Sequence, residues 1–401
     1  MDILHTPEGV RDLYGNEGLK KQRMESCINE VMLSNGYRPI TTPSFEYFDI
    51  FNKERGTVPS KEMFKFFDRD GNTLVLRPDM TPSIARSVAK YYRDRTFPIR
   101  LTYSGKTFIN NSNYQGRLKE TNQIGAELVN DGSVLADAEM IALTVKSLLA
   151  AGLKEFQVEI GHAGFFKGLL LDNSIDEETG ENLRVAIKTK NHFALKDILD
   201  GLSLPEEQKQ LFLRLPEMFG SFRTISSFKE FTGNETALSV LNRLEELNSL
   251  LSEYGVLPYV SYDLGMLSKY NYYTGIIFRA LTIGTGEMIA SGGRYDNLVS
   301  QFGMDAPAIG MSITLDYLMT ALFRQGILPE EEKEVVMVMY PESRIADAVS
   351  YAEMLRKNGT PAALCPLADT AELTQLITEL PAYVKEAHAL KEDGQTAIYR
   401  R

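Results

Sequence analysis

The sequence predicts an α+β fold: a mostly antiparallel sheet with helices, a helical insertion, and a small α/β piece at the C-terminal end. Three observations carry this expectation. Segments of strand character between residues 63 and 129 follow one another in hairpin-like succession, which pairs neighbours antiparallel. Between about 165 and 254 strand signals fade and amphipathic helical spacing takes over. Beyond the acidic, proline-containing stretch Leu328-Pro329-Glu330-Glu331-Glu332, about 70 residues alternate strand, helix and strand. The expected domains are therefore 1–327, with the insertion inside it, and 328–401.

In chain order, residues 16–36 have helical apolar spacing at Leu19, Met24, Ile28, Val31 and Met32, and end at Asn35-Gly36, a good C-cap. Strands are expected at Met63–Phe67, at Thr73–Leu76 after the Asp70-Gly71 turn, at Ile99–Tyr103 and at Thr121–Val129. Asp79–Tyr92 reads as a helix, as does Ser133–Ala151, which closes at Gly152; Phe156–Ile160 resumes as a strand. Within the insertion, Glu206–Leu213 and Glu235–Leu251 are the clearest helices. Val256–Arg279 returns to strand texture, a further strand leads into Ser291-Gly292-Gly293-Arg294, and Ile309–Phe323 reads as a helix. The C-terminal piece offers strand Val335–Tyr340, helix Arg344–Lys357 and strand Ala362–Cys365.

Composition excludes several classes. Apolar residues make up 43% and charged residues 24%, enough for a large core and too balanced for a disordered or fibrous chain. Lys+Arg 43 against Asp+Glu 54 gives a net charge of −11, so the broad basic footprint of a dedicated nucleic-acid binder is missing. Cys27 and Cys365 are far apart and the four histidines are scattered, which argues against a zinc site and a disulfide framework; no metal and no cofactor are expected. The opening MDILHTPEGVRDLYG is polar and no run approaches 18 apolar residues, so neither a leader nor a membrane span is expected and the protein reads as cytoplasmic.

Four segments could carry chemistry. Thr121-Asn122-Gln123-Ile124-Gly125-Ala126-Glu127-Leu128 alternates cleanly, with Ile124, Ala126 and Leu128 on one face and Gln123, Gly125 and Glu127 on the other. That second face is either a solvated sheet surface or a place where a small ligand approaches the backbone at the glycine. Tyr270-Asn271-Tyr272-Tyr273-Thr274-Gly275 packs three tyrosines into four positions, as pleat filler or as a ligand lining. Leu76-Arg77-Pro78-Asp79-Met80-Thr81-Pro82 sits at a strand-to-helix junction, where Asp79 or Thr81 could cap the helix. Ser291-Gly292-Gly293-Arg294-Tyr295-Asp296 matches no phosphate loop.

Jointly and in this order, these segments resemble the class II histidyl-tRNA synthetases. Val10-Arg11-Asp12 and Asn35-Gly36-Tyr37 fit the start of that family's core, and the resemblance covers about residues 8–160 and 256–325. It implies a class II aminoacyl-tRNA synthetase-like core, with the helical stretch where the family carries an insertion. It also implies a histidine pocket in which Asp79 (shorter than the usual glutamate) and Thr81 follow the Leu-Arg-Pro segment, Gln123 and Glu127 hold polar groups, and Tyr272 and Tyr273 line the imidazole. Arg117 matches an arginine of the motif 2 loop.

The ATP half departs from the family pattern. Where the family has F-R-x-E, this chain has Phe108-Ile109-Asn110-Asn111; Tyr317 stands for the motif 3 arginine, and Ser268 for the family's own catalytic arginine. Losing one such preorganised donor typically costs ~100- to 1000-fold in rate, and three together leave no activation chemistry. Lys269 and Lys106 match no arginine position, and lysine lacks the bidentate fork. A synthetase-like core with an amino-acid pocket and no adenylation apparatus resembles the regulatory subunits of ATP phosphoribosyltransferase. That resemblance implies no catalysis of its own, a role in histidine biosynthesis, and a short catalytic subunit as partner that it activates. It further implies a homodimeric unit formed through roughly Gly36–Phe51 and feedback sensing of histidine. The last 70 residues resemble a truncated anticodon-binding domain, and the acidic balance speaks against nucleic acid. An RNA-binding pseudo-synthetase and an active synthetase are the alternatives.

Overall fold

The first helical stretch folds as Gly15–Ser34, and its apolar spacing turns Met24, Ile28 and Met32 into the core. The computed structural model describes residues 4–52, 58–111, 117–226, 229, 234–267, 272–327, 334–367, 379–381 and 383–400. Two compact units, Met1–Leu328 and Pro329–Arg401, divide the chain.

The first unit is built on a nine-stranded sheet. Its order in space is Arg38–Pro39, Ile99–Phe108, Glu120–Val129, Ala308–Thr314, Ala290–Arg294, Ile276–Thr282, Phe156–His162, Val260–Asp263 and Phe219–Gly220. Neighbours run antiparallel except Arg38–Pro39 against Ile99–Phe108 and Phe156–His162 against Val260–Asp263. One face is covered by Gly15–Ser34 and by Val134–Ala150, whose Ser133 hydroxyl accepts from the Ala136 N–H at 3.2 Å as an N-cap. Full burial of Ile141, Leu143 and Leu148 on that helix is worth roughly 1.5–3 kcal/mol each. The insertion holds helices Ala163–Asp172, Glu177–Lys188, His192–Asp200, Glu206–Arg214, Phe222–Ser226 and Glu235–Glu253. A separate three-stranded antiparallel sheet pairs Phe45–Tyr47, Thr73–Leu76 and Lys65–Phe67.

Two expectations are corrected. Ile309–Phe323 is not one helix: Ala308–Thr314 is a central strand, and only Leu315–Arg324 is helical. Ile309, Met311 and Ile313 share the face buried in the main core while Gly310 and Ser312 line a cavity, and this period of two is masked because the run passes without a break into the apolar helix Leu315–Arg324. The strand texture of Val256–Arg279 resolves into Val260–Asp263 and Ile276–Thr282, with Leu257–Tyr259 a 3-10 turn started at Pro258. Tyr272 and Tyr273 stand outside regular strand, and Ser268, Lys269, Tyr270 and Asn271 lie outside the described residues, as does Pro329-Glu330-Glu331-Glu332.

In the second unit Val335–Tyr340 is central, parallel to both Ala362–Pro366 and Val384–Leu390, and Thr396–Arg400 closes the sheet antiparallel. Helix Ile345–Lys357 buries Ala348 and Ala352 against one face. No helix of the described residues is long and apolar enough to cross a membrane.

Candidate functional site

Strand register builds the floor of the site. Gly125 lies opposite Tyr103 on one neighbour and Ser312 on the other; Glu127 lies opposite Gly310, and Gly310 opposite Gly293. Period two then puts Tyr103, Gln123, Gly125, Glu127, Gly293, Gly310 and Ser312 on one face. The glycines make room for their neighbours' side chains. A Cβ on Gly310 would lie 1.6 Å from Glu127 Oε2, and one on Gly125 would lie 2.4 Å from the Tyr103 hydroxyl. Over this floor opens a cavity of about 290 Å³, at the low end of the roughly 300–1,000 Å³ common for small-molecule sites.

The sequence-derived residues converge on this cavity. Asp79, Thr81, Arg117, Gln123, Tyr272 and Tyr273 all line it. Glu127 does not: fully buried, its carboxyl lies behind the wall, where Thr81 Oγ1 donates to Oε1 at 2.8 Å and the Tyr295 hydroxyl donates to Oε2 at 2.5 Å. A solvated sheet face is therefore excluded. Burial drives the Glu127 carboxyl up to about 8; the two hydroxyl donors oppose that rise, and Asp79 adds to it. Asp79 is raised too, first by burial, while its Oδ2 accepts from the Tyr272 hydroxyl at 3.4 Å. Burial, with Glu127 next, holds the Tyr103 and Tyr295 phenols well above their usual range, so both remain hydrogen-bond donors at neutral pH.

Helix capping does not account for Thr81, whose hydroxyl is spent on Glu127; Asp79 Oδ1 makes one 3.3 Å contact with the Thr81 N–H. Two arginines of the motifs are structural. Arg77 donates to the carbonyls of Thr42 and Lys106, both at 2.8 Å, tying the small sheet to the large one. Arg294 is buried against Asp137, with Nε 2.8 Å from Oδ1.

The most telling polar atom is Gln123 Oε1, buried among the lining residues with no hydrogen-bond partner among the described residues. Such a group costs roughly 1–3 kcal/mol unless something donates to it. Asn111, also in the lining, repeats the pattern: its Nδ2 donates to the Leu118 carbonyl at 3.2 Å, and its Oδ1 is buried with no partner among the described residues. Ile109 and Tyr317, where the resemblance expects arginines, also line the cavity. Lys106 does not; it pairs with Glu120 and lines a separate hollow with Asn122 and Asp316. Arg117 and Lys119 are the cations of the described lining, against Glu62, Asp79 and Glu287.

Tyr103, Tyr295 and Glu287 were not singled out from sequence. Tyr103 could have been found by extending the alternation of its strand, and Tyr295 by its place after Gly292-Gly293-Arg294; nothing in the sequence marks Glu287.

The family model for histidyl-tRNA synthetase matches residues 9–318. A protein of Acetivibrio thermocellus named ATP phosphoribosyltransferase regulatory subunit is 39% identical over 356 residues, 89% of this chain and 85% of that protein. One of the same name from Ruminiclostridium cellulolyticum is 40% identical over 354 residues, 88% of this chain and 84% of that protein. The chain belongs to the ATP phosphoribosyltransferase regulatory subunit family. A crystal structure described as an ATP phosphoribosyltransferase regulatory subunit/histidyl-tRNA synthetase from Bacillus halodurans superposes with a TM-score of 0.84 at 31% identity, covering 94% of this chain and 96% of that one. Members of this regulatory-subunit family are named for a regulatory, not a catalytic, part in histidine biosynthesis, built here on a class II synthetase-like fold.

Proposed function

We propose that this chain activates the short catalytic subunit of ATP phosphoribosyltransferase, binds histidine in the cavity, and passes on its occupancy as feedback inhibition. The observation that carries the reading is the buried Gln123 Oε1, without a partner among the described residues, in a cavity that also presents Asp79, Tyr103, Tyr272 and Tyr273. An imidazole N–H and an α-ammonium are the donors such a wall asks for. Ile109 and Tyr317 supply no positive charge where a triphosphate would need it. A pocket without chemistry changes flux only when a partner binds its free and liganded states unequally.

A homodimeric unit completes the proposal. Phe45 and Tyr47, within the expected dimer segment Gly36–Phe51, are 51% and 56% exposed, and Phe66, packed edge-on against Phe45, extends the patch on the same face of the small sheet. Exposed aromatic area of this kind on a soluble chain marks an interface. The complex would work in the cytoplasm, without membrane or nucleic acid.

The test is reconstitution. Mixing the two subunits should give a co-eluting complex with faster phosphoribosyl transfer to ATP than the catalytic subunit alone, and histidine should inhibit it. Gln123→Ala should weaken inhibition and spare assembly. A catalytic subunit equally active and equally histidine-sensitive on its own would refute the proposal. Salt-dependent RNA binding by the isolated chain would then favour the pseudo-synthetase alternative.

A further inference from the structure

At the mouth of the cavity an ion pair joins two hairpins. Arg117 lies where the chain enters strand Glu120–Val129, and Glu287 lies between strands Ile276–Thr282 and Ala290–Arg294; Arg117 Nε stands 3.5 Å from Glu287 Oε1. Both side chains line the cavity, and they are 54% and 41% exposed. Tyr317 sits close to both: burial raises its phenol first, Glu287 adds to the rise and Arg117 opposes it. A pair this open and this long is weak and readily exchanged. The inner part of the cavity, by contrast, offers an arriving carboxylate no cation among the described residues: it is lined by Asp79, Thr81, Tyr103, Gln123, Tyr272 and Tyr273.

We infer that Glu287 is a built-in competitor for the carboxylate of the ligand: it occupies Arg117 in the empty cavity and yields it to an acidic small molecule whose donor groups have entered the inner part. The inference rests on the histidine reading above and adds to it the group that sets selectivity for the acid end. Glu287 holds the guanidinium at the mouth, so the cation is in place when a carboxylate arrives. It also sets a threshold, because every bound carboxylate must displace it. A ligand with the same imidazole and amine but no carboxylate leaves the Arg117–Glu287 pair intact and gains nothing from Arg117. Glu287 is thus a specificity-determining residue, and its removal acts on acidic ligands alone.

Isothermal titration of the full chain with L-histidine and with histamine, which lacks the carboxylate, tests this. Glu287→Gln, a mild change at an exposed position whose fold is checked by its melting temperature, should tighten histidine two- to fivefold and leave histamine unchanged. Arg117→Gln should weaken histidine five- to tenfold, again without effect on histamine. With Arg117→Gln in place, Glu287→Gln should change neither ligand, because the two residues act through one contact. A Glu287→Gln variant that leaves histidine affinity unchanged, or that shifts both ligands equally, would overturn the inference while the histidine reading stands. No heat with either compound in the unsubstituted chain would overturn both.

Discussion

Glu127→Gln isolates the most strained group of the site. Gln keeps the shape, can still accept from Thr81, and can donate its amide N–H to the Tyr295 oxygen, where Glu127 now accepts two hydroxyls at 2.8 and 2.5 Å. It cannot ionise. Burial lifts the folded-state carboxyl from 4.5 to about 8, so between those values the folded chain keeps a proton that the unfolded chain has released. The unfolded state binds fewer protons there, and stability must fall as pH rises through that window. At about 1.4 kcal/mol per pH unit, the loss between pH 5 and pH 8 comes to about 3–4 kcal/mol. The chain has no tryptophan, so urea unfolding is followed by tyrosine fluorescence and far-ultraviolet circular dichroism at half-unit pH steps. The difference between wild type and Glu127→Gln should favour wild type least at pH 8, changing by about 3–4 kcal/mol across the range. Parallel profiles would mean that Glu127 is already ionised in the folded protein, and the account of its burial would be wrong.

Other groups make separate predictions. His162 is partly buried, desolvation lowers its ring to about 4, and its Nδ1 accepts from the Gly164 N–H at 3.1 Å to cap helix Ala163–Asp172. A lowered base loses stability as pH falls from 6.5 towards 4, so His162→Asn, which preserves the cap, should flatten that acid limb in the same urea series. Asp137 is fully buried between Arg294 and Arg243, each with a nitrogen within 2.7 Å; Asp137→Ala leaves the buried Arg294 with Asp296, 3.1 Å away, as its remaining carboxylate and should cost about 3 kcal/mol, read as a lower urea midpoint. Gly310→Ala drives a methyl into Glu127 and should cost about 1–3 kcal/mol or more and abolish any histidine-induced rise in melting temperature.

Much of the framework could be read because its signals are local. The alternation over Thr121–Leu128 assigned Ile124, Ala126 and Leu128 to one face, and all three are fully buried there. The Ser133 cap and the Asn35-Gly36 stop bound their helices as local chemistry predicts. Whatever depended on layering was hidden. Ala308–Thr314 looked helical because it runs without a break into helix Leu315–Arg324, while the strand it pairs with, Glu120–Val129, is far away in sequence. Arg77 and Arg294 sit in motifs that suggest ligand chemistry, yet Arg77 is tied to the backbone carbonyls of Thr42 and Lys106 and Arg294 to the buried Asp137, all 29 or more positions away.

Gly310 shows why the site itself resisted a sequence reading. Alone, a glycine in an apolar run signals a weakened strand or a bulge. Its role exists only in the register that sets it opposite Glu127, whose carboxyl fills the space a side chain would need. The same register stacks Gly293 beside Gly310 and brings Tyr273 over it. A site formed this way is a property of four paired strands together. Its glycines, its raised carboxyl and its unsatisfied Gln123 oxygen follow from one another once the pairing is known, and none of them follows from the residue alone.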